Sequence, residues 1–300
     1  MDELENINII KTITDNKYIG DDCAYIEDLG IVITQDSIIE HIHFEKKYCT
    51  FEQLGYKSAA VNISDILASG AKPKYLMLAL SLPNDTPKSF IKDFTNGFIK
   101  GSYGAKLIGG DITGSSRDIM ISVTAIGTTN DRIISSRKNA MPGQVVVVSG
   151  EHGSSAAGLK ELINKGSNKE LINAHLMPIL DINFSELIAK NINTKYAMMD
   201  SSDGLADALY KIAESSNVSM QINYALIPHN KNVSKQDVLF GGEDYKLVAV
   251  IPEDFAKKHN LTIIGNVIEK QSNFVLKIDE IEYNSYSDLS VFNHFGENHE

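Results

Sequence analysis

Short apolar runs alternate with stretches of helical periodicity along the chain, and this alternation constrains the fold more than any other feature. Residues 30–34 and 75–82 are near-continuous apolar runs, which is typical of buried strands. Between them, apolar residues recur at roughly helical spacing over 51–69, and Gly70 suits the position just after a helix. The pattern predicts an α+β protein.

The alternation stops and starts again near the middle of the chain. Residues 141–143, Met-Pro-Gly, are a turn signal, and apolar runs that predict strands resume at 145–149 and 245–251. A chain of 300 residues has room for one large domain or two ordinary ones, at roughly 100–200 residues each. We therefore predict two α+β domains, covering 1–137 and 138–300.

The charge and composition exclude several classes of protein. The formal net charge is −11, whereas proteins that bind nucleic acid or anionic membranes normally carry a basic patch. Residues 1–17 lack the apolar core of a signal peptide, and no apolar run approaches the roughly 18 residues that span a bilayer. Cys23 and Cys49 match no metal or redox spacing. We expect a cytoplasmic protein that binds neither nucleic acid nor membrane, and that needs bridging cations to bind a polyanion.

Aspartates recur beside glycines or just past predicted strands. These positions are Asp21, Asp22, Asp36, Asp111, Asp200 and Asp203. Brought together, such carboxylates could hold Mg²⁺, which takes carboxylates, waters and substrate phosphates as ligands. An aspartate beside glycine is also common in ordinary turns, so each position alone is open to both interpretations. Asp65 differs, because it lies inside a predicted helix, where aspartate is a poor helix former.

Two further segments contain residues that could bind an anion. Residues 150–155, Gly-Glu-His-Gly-Ser-Ser, join a predicted strand to a predicted helix, and free N–H groups at a helix start can bind an anion. The segment is not a P-loop, and a plain helix cap explains it equally well. His41 and His43 are predicted to lie on one side of an extended segment. Their spacing favours a substrate-phosphate contact or a surface position over a zinc site.

Nine segments of the chain carry a more specific pattern. They read IGDDCA (19–24), TQDSIIEHIHF (34–44), GYKSAAVNISDILASGAKP (55–73), LIGGDITGS (107–115), ISVTAIG (121–127), SRKNAMPGQ (136–144), SGEHGSSAAGL (149–159), MMDSSDGLADAL (198–209) and GGEDYKL (241–247). In this order they resemble the thiamine-monophosphate kinases, a family in the superfamily of aminoimidazole ribonucleotide synthetase.

The resemblance implies a fold and a reaction. The fold would be the two-domain α+β fold of the superfamily, with the N-terminal sheet pairing in a homodimer and the active site in the interdomain cleft. ATP and thiamine monophosphate would be the small-molecule partners, and the products would be ADP and thiamine diphosphate. Several Mg²⁺ ions would assist a direct in-line transfer that needs no protein nucleophile.

The resemblance also implies roles for individual residues. Magnesium would be held by Asp22, Thr34, Gln35, Asp36, Asp65, Asp111, Asp200 and Asp203. ATP would contact Tyr103, Gly110, Asp111, Arg137 and Ser202. The acceptor would contact His43, Glu243 and Phe292, with Phe292 stacking on the thiamine ring. Gln35 stands where the family usually has threonine, and it could coordinate through its carbonyl.

Two alternatives stay open at this point. One is another ATP-using member of the superfamily, such as selenophosphate synthetase, which needs a reactive residue in a glycine-rich N-terminal segment. Cys23 lies in the GDDCA segment instead. The other is a non-catalytic nucleotide-binding protein. The nearly complete set of aspartates argues against it, because such a protein has little use for several metal sites.

Overall fold

Two β-sheets organise the chain, which a computed structural model describes over residues 3–290. The N-terminal elements are α1 (Glu3–Thr14), β1 (Ala24–Ile26), β2 (Ile31–Ile39), α2 (Phe51–Ala68), β3 (Lys72–Pro83), α3 (Ser89–Gly101), β4 (Lys106–Ser115) and β5 (Met120–Thr128). The C-terminal elements are β6 (Val145–Val148), α4 (Ser154–Ile163), α5 (Lys169–Leu176), α6 (Ile182–Asn191), β7 (Ala197–Asp200), α7 (Leu205–Ser215), β8 (Val218–Ile222), α8 (Lys235–Phe240), β9 (Leu247–Ile251), α9 (Glu253–Lys258), β10 (Thr262–Glu269), β11 (Leu276–Ile278) and β12 (Ile281–Tyr283). The predicted α+β class is confirmed.

The first sheet contains five strands in the order β1-β2-β5-β3-β4. Strands β3 and β4 are parallel, and the other neighbours are antiparallel. Helix α2 covers one face, where Ile121, Val123 and Ala125 of β5 are buried in alternation with half-exposed residues. The alternation is typical of a sheet with one face in the core and the other outside it.

The second sheet contains seven strands in the order β12-β11-β8-β10-β6-β9-β7. Its strand β6 is a run of four buried valines. Val145 and Val147 join the hydrophobic core that includes α2, whereas Val146 and Val148 join the core around α7. Because β6 is buried on both faces, one of its faces packs in the same core as α2. This shared core holds the two halves of the chain together.

Helix α2 begins and ends as the sequence predicts. Thr50 and Gln53 form a capping box, with Thr50 Oγ1 accepting from Gln53 N at 3.2 Å and Gln53 Oε1 accepting from Thr50 N at 2.9 Å. Gly70 follows the helix with φ = 81°, which a residue with a side chain rarely adopts. Several polar side chains of α2 are nevertheless buried. They face the site described below.

Helix α3 lies unusually close to α2. Phe90, Phe94 and Phe98 recur at four-residue spacing, which predicts one apolar stripe on a helix. All three are buried, with stacked ring centroids 5.3 and 6.0 Å apart. Glycines make the close approach possible. A Cβ on Gly97 would lie 1.7 Å from the carbonyl oxygen of Glu52, and one on Gly55 would lie 2.0 Å from the carbonyl oxygen of Phe94.

Gly97→Ala is therefore expected to destabilise the protein by about 3 kcal/mol, because the added methyl group forces two packed helices apart. Urea unfolding followed by circular dichroism measures the change. Asn96→Ala, at the adjacent exposed position of the same helix, is the matched control and should shift stability by less than about 0.5 kcal/mol. Equal stability of Gly97→Ala and the wild type would contradict the close contact.

Two predicted strand ends are wrong. The sequence predicts a strand over 30–34 that ends before Asp36 and a short strand over 106–108 that ends in Gly109-Gly110-Asp111. Instead, β2 continues through Asp36 to Ile39 and β4 continues through Asp111 to Ser115. Both aspartates therefore lie in the middle of hydrogen-bonded strands. The domain boundary at 137/138 stays a prediction; a 3-10 turn, Arg137–Asn139, lies there between the two sheets.

No helix within residues 3–290 has the length and apolar character that a bilayer crossing requires.

Candidate active site

Three carboxylates from distant parts of the chain converge where the two halves meet. Asp22 precedes β1, Asp65 lies on α2, and Asp200 ends β7. One ligand oxygen from each lies within 4.8 Å of the others, so the three could share a metal ion. These three residues form what we call the carboxylate cluster. All three are among the residues that the resemblance assigned to magnesium.

Hydroxyl and amide groups orient the cluster. Thr34 Oγ1 donates to Asp65 Oδ2 at 2.6 Å, and Ser64 Oγ donates to Asp200 Oδ2 at 2.6 Å. Asn62 Oδ1 accepts from the backbone N–H of Asp36 at 3.0 Å, which ties α2 to β2 beside the cluster. Sequence reasoning missed Ser64 and Asn62. Their signal was a polar residue within an otherwise apolar helix, close to Asp65.

The cluster holds more negative charge than its surroundings balance. Burial, followed by the nearby charges of Asp36, Asp200 and Asp22, raises the pKa of Asp65 well above its usual value. Burial and Asp22 likewise raise the pKa of Asp200 to about 7. Carboxylates that repel one another in a buried place are stabilised by a bound cation. Oxygen ligands of this kind suit Mg²⁺, so the residues present fit the metal that the sequence predicted.

Arg137 lies at the edge of the cluster. Its Nη2 donates to Asp22 Oδ1 at 2.9 Å, and its backbone N–H donates to Asp21 Oδ1 at 2.7 Å. Burial acts to lower the pKa of Arg137, but Asp22 and Asp21 outweigh it and raise that pKa, so the guanidinium stays charged. Asp21, which was not assigned a role, anchors the turn that carries Arg137. A permanent cation beside the carboxylates suits the predicted ATP contact.

The segment after Asp200 is tied to the glycine-rich segment before β9. Ser202 N donates to Asp200 Oδ1 at 3.3 Å, and Ser202 O accepts from Glu243 N at 2.6 Å. Among the described residues, Asp203 is not one of the three carboxylates whose ligand oxygens lie within 4.8 Å of one another. Lys211 Nζ lies 3.1 Å from Asp203 Oδ2 and 2.9 Å from Asp207 Oδ2. The magnesium role of Asp203 and the ATP role of Ser202 therefore stay predictions.

Glu243, a predicted acceptor contact, lies in a second group of charged residues. Its Oε2 lies 3.0 Å from Lys57 Nζ and 3.5 Å from His175 Nδ1. His43, the other described acceptor residue, contributes positive potential at Glu243 and accepts at Nδ1 from Ile39 N at 3.1 Å. His43 and Glu243 are thus brought to one region. Phe292 lies outside the described residues.

The turn that carries His43 is not the extended segment that the sequence predicted. His41 has φ = 68°, so the chain turns back over Glu40–Phe44, and the two imidazoles do not lie along one strand face. His41, Glu40 and Asp118 could offer metal ligands, but Lys46 Nζ already lies 2.8 Å from Glu40 Oε1. A positive charge is thus already present where a metal would bind.

The start of α4 is capped by the chain itself. Asp244 Oδ1 accepts from Ser155 N at 2.9 Å, and its Oδ2 accepts from Gly153 N. Burial raises the pKa of Asp244 to about 7, although these two N–H groups act against the rise. Residues 150–155 could bind an anion or form a plain helix cap. The structure supports the cap, because the Asp244 carboxylate already accepts from the N–H groups that an anion would use.

Three predicted ligands do not join the cluster within one chain. Asp111 lies on β4, three strands away from Asp36 on β2, or about 14 Å at usual strand spacing. Asp111 is in register with Ala79 and Ser122, on the sheet face opposite to α2. Gly110 lies beside it on β4. The Gln35 side chain is on that same outer face, where its Oε1 accepts from Thr124 Oγ1 at 3.0 Å.

Tyr103 also lies away from the cluster. Its hydroxyl is 2.8 Å from that of Tyr56 and accepts from Leu180 N at 3.0 Å. Tyr56 precedes Asp65 by nine positions on α2, or about 13 Å along the helix axis. The roles of Tyr103, Gly110, Asp111 and Gln35 stay predictions.

Comparison with known proteins agrees with this architecture. The family model described as AIR synthase related protein, N-terminal domain, matches residues 20–129, and its C-terminal counterpart matches 141–277. The thiamine-monophosphate kinase of Bacillus subtilis is 34% identical over 98% of this chain and 100% of its own length.

Two solved structures have the same fold. The structure described as AaThiL complexed with AMPPCP and TMP has a TM-score of 0.88 and 30% identity, covering 98% of this chain and 97% of that one. The thiamine monophosphate kinase from Aquifex aeolicus has a TM-score of 0.83 and 31% identity, covering 94% and 98%. The resemblance found in the sequence is confirmed: the chain is built from the two AIR synthase-related domains and belongs to the thiamine-monophosphate kinase family.

Proposed function

We propose that this chain is a magnesium-dependent kinase that transfers the γ-phosphoryl group of ATP to thiamine monophosphate, giving ADP and thiamine diphosphate. Membership of the kinase family supports the reaction. The observation that carries the metal dependence is the convergence of Asp22, Asp65 and Asp200, two of which have strongly raised pKa values. A non-catalytic binding protein would have little use for carboxylates that repel one another in this way.

The residues that would hold Mg²⁺ are those of the carboxylate cluster together with Asp36. Thr34 and Ser64 keep two of these carboxylates in fixed orientations through their hydrogen bonds. Bound magnesium would neutralise phosphate charge and so allow two anions to approach. Arg137, at the edge of the cluster, would place its permanent charge against the ATP phosphates.

The transfer needs no protein base or nucleophile. The acceptor phosphate is already ionised near neutral pH, so one of its oxygens can form a bond to the γ-phosphorus directly. The bond between that phosphorus and the bridging oxygen breaks, and ADP leaves with the electron pair. The task of the chain is therefore to position two anions and to balance their charge.

A homodimer would complete the site. Strand β4 is a ten-residue edge strand that pairs, within residues 3–290, with β3 alone. Ile108 and Ile112 on it are 54% and 65% exposed. Long exposed edges of this kind are normally covered. Pairing of two N-terminal sheets would cover β4 and bring Asp111 and Gly110 of one copy toward the carboxylate cluster of the other. We place this dimer in the cytoplasm.

The purified protein is expected to form thiamine diphosphate and ADP when it is given ATP, Mg²⁺ and thiamine monophosphate. Removal of divalent ions with EDTA should stop the reaction, and added Mg²⁺ should restore it, because the carboxylate cluster cannot bind ATP phosphates without cations. Chromatographic separation of the thiamine species measures the product.

Thiamine is the matched control substrate, since it lacks the acceptor phosphate and should not be phosphorylated. Turnover on thiamine with none on its monophosphate would overturn the assignment. Binding of ATP without any phosphorylated product would favour the non-catalytic alternative.

A further inference from the structure

A buried ion pair connects the two halves of the chain beside the predicted acceptor site. Lys57 on α2 and Glu243 before β9 are separated by 186 positions, and Lys57 Nζ donates to Glu243 Oε2 at 3.0 Å. The side chain of Lys57 is 6% exposed and that of Glu243 is 29% exposed. Lysine is almost never this deeply buried without a partner, so Glu243 is what makes the position tolerable.

The groups facing Glu243 determine its ionisation. They are Lys57 on α2, His175 on α5 and His43 in the turn after β2, with Asp244 and Tyr245 beside it in sequence. Burial acts to raise the pKa of Glu243, but Lys57, His175 and His43 outweigh it and hold that pKa below its usual value. Burial and Lys57 lower the pKa of His175 to about 4, so His175 is neutral at pH 7. Lys57 is thus the charged partner.

Glu243 is also held in a strained backbone conformation. Its φ is 66°, and that of Tyr245 is 51°, both in the left-handed region that side-chain-bearing residues rarely adopt. The backbone N–H of Glu243 donates to Ser202 O at 2.6 Å. Residues kept in such conformations persist where the surroundings over-determine them, and they cluster at ligand sites.

We propose that Lys57 is a positioning residue for the acceptor: it holds the Glu243 carboxylate ionised and fixed so that this carboxylate can bind the cationic, amino-bearing ring system of thiamine monophosphate. The inference rests on the proposed function. Lys57 Nζ and His175 Nδ1 lie 3.0 and 3.5 Å from Oε2 of Glu243. The Glu243 side chain is 29% exposed and that of Lys57 only 6%, so Glu243 is the residue that a ligand can touch and Lys57 is the residue that supports it.

The test is Lys57→Met, assayed for KM with each substrate separately. The KM for thiamine monophosphate is expected to rise about 10- to 100-fold, as for the loss of a hydrogen bond between charged groups. The KM for ATP should stay within about threefold. The ratio of the acceptor KM of Lys57→Met to that of the wild type should grow as pH falls from 8 to 6, because an unpaired buried carboxylate protonates more readily.

Companion variants distinguish positioning from packing. Glu243→Gln should raise the acceptor KM by a ratio to the wild type that does not change with pH, and the double variant should be no worse than Glu243→Gln alone, since Lys57 acts through Glu243. Lys57→Arg keeps the charge and should recover most of the affinity. Lys258→Met removes an exposed lysine and should change neither KM. If Lys57→Met does not fold, Lys57→Gln, which can still donate to Glu243, should show a smaller rise of the same kind.

The outcomes separate the two proposals. If the wild type forms no thiamine diphosphate, the proposed function fails and this inference fails with it. Suppose instead that the wild type is active but Lys57→Met raises the KM for ATP and for thiamine monophosphate equally, or that the effects of the two single substitutions add in the double variant. The proposed function then stands, and only the positioning role of Lys57 is overturned.

Discussion

Asp65→Asn is expected to lower turnover about a thousandfold or more. A metal site of this kind supplies several kcal/mol of charge stabilisation, and each tenfold in rate corresponds to about 1.4 kcal/mol. Asparagine keeps the size of the side chain, and its carbonyl oxygen can still accept from Thr34 Oγ1. The change therefore removes charge and a metal ligand while leaving the shape of the site intact. Steady-state formation of thiamine diphosphate measures the loss.

The same substitution is expected to stabilise the metal-free protein. Burial and the neighbouring carboxylates raise the pKa of Asp65, so its ionised form costs folding free energy. An acid with a raised pKa binds its proton more tightly in the folded state, and stability falls as pH rises from the unfolded pKa to the folded pKa. For Asp200 this window runs from about 4 to about 7. In EDTA, the stability advantage of Asp65→Asn over the wild type should thus grow as pH rises from the usual pKa of an aspartate toward the raised pKa of Asp65.

Added Mg²⁺ should make the wild type more stable than Asp65→Asn, the reverse of the order expected in EDTA. A ligand that binds the folded state raises the melting temperature, so Mg²⁺ should stabilise the wild type and have little effect on Asp65→Asn. Asp28→Asn is the matched control, because Asp28 is an exposed carboxylate in the same half of the chain. It should leave turnover, melting temperature and the magnesium response unchanged. Full activity of Asp65→Asn, or a metal-free variant less stable than the wild type at pH 7.5, would contradict the cation site.

The parts of the fold that the sequence predicted are those governed by local periodicity. Helix α2 has apolar residues at helical spacing and a glycine after its last turn, and the phenylalanines of α3 repeat at four-residue spacing. Each signal acts within a few residues of chain, so neighbouring sequence is enough to identify it. The site residues Asp22, Asp65 and Asp200 were identified through nine ordered segments rather than through any single motif.

The features that sequence reasoning missed depend on contacts between distant segments. Gly109-Gly110 ends the predicted strand over 106–108, but β4 continues through both glycines because it pairs with β3 along this stretch. A Cβ on Gly110 would lie 1.7 Å from Leu78 O, which explains the glycine by strand contact instead. Asp244 caps α4 from 89 positions away, and Lys57 meets Glu243 across 186. A pattern within a few neighbouring residues cannot predict contacts between residues so far apart in the chain.

A mixed dimer of Asp111→Asn and Asp65→Asn is expected to regain activity that neither variant has alone. Asp111 lies on the outer face of the first sheet, about 14 Å of strand spacing from Asp36, and cannot reach the cluster of its own chain without unpairing β4. If two N-terminal sheets pair, each site takes Asp65 from one copy and Asp111 from the other. The mixed dimer then contains one intact site and one site with both defects. Purified by two different tags, it should show about half the wild-type turnover per dimer.

The matched control is the mixed dimer of Asp65→Asn with Asp200→Asn. Because Asp65 and Asp200 of one chain belong to the same cluster, each site of this dimer contains one defect, and no activity should return. Recovery in this control would mean that Asp65 and Asp200 of one site come from different copies, or that the variants were not inactive. An inactive Asp111/Asp65 mixed dimer, or a wild-type protein that sediments as a monomer while turning over at full rate, would instead mean that each chain works alone. In either case Asp111 would not complete the site of a partner copy.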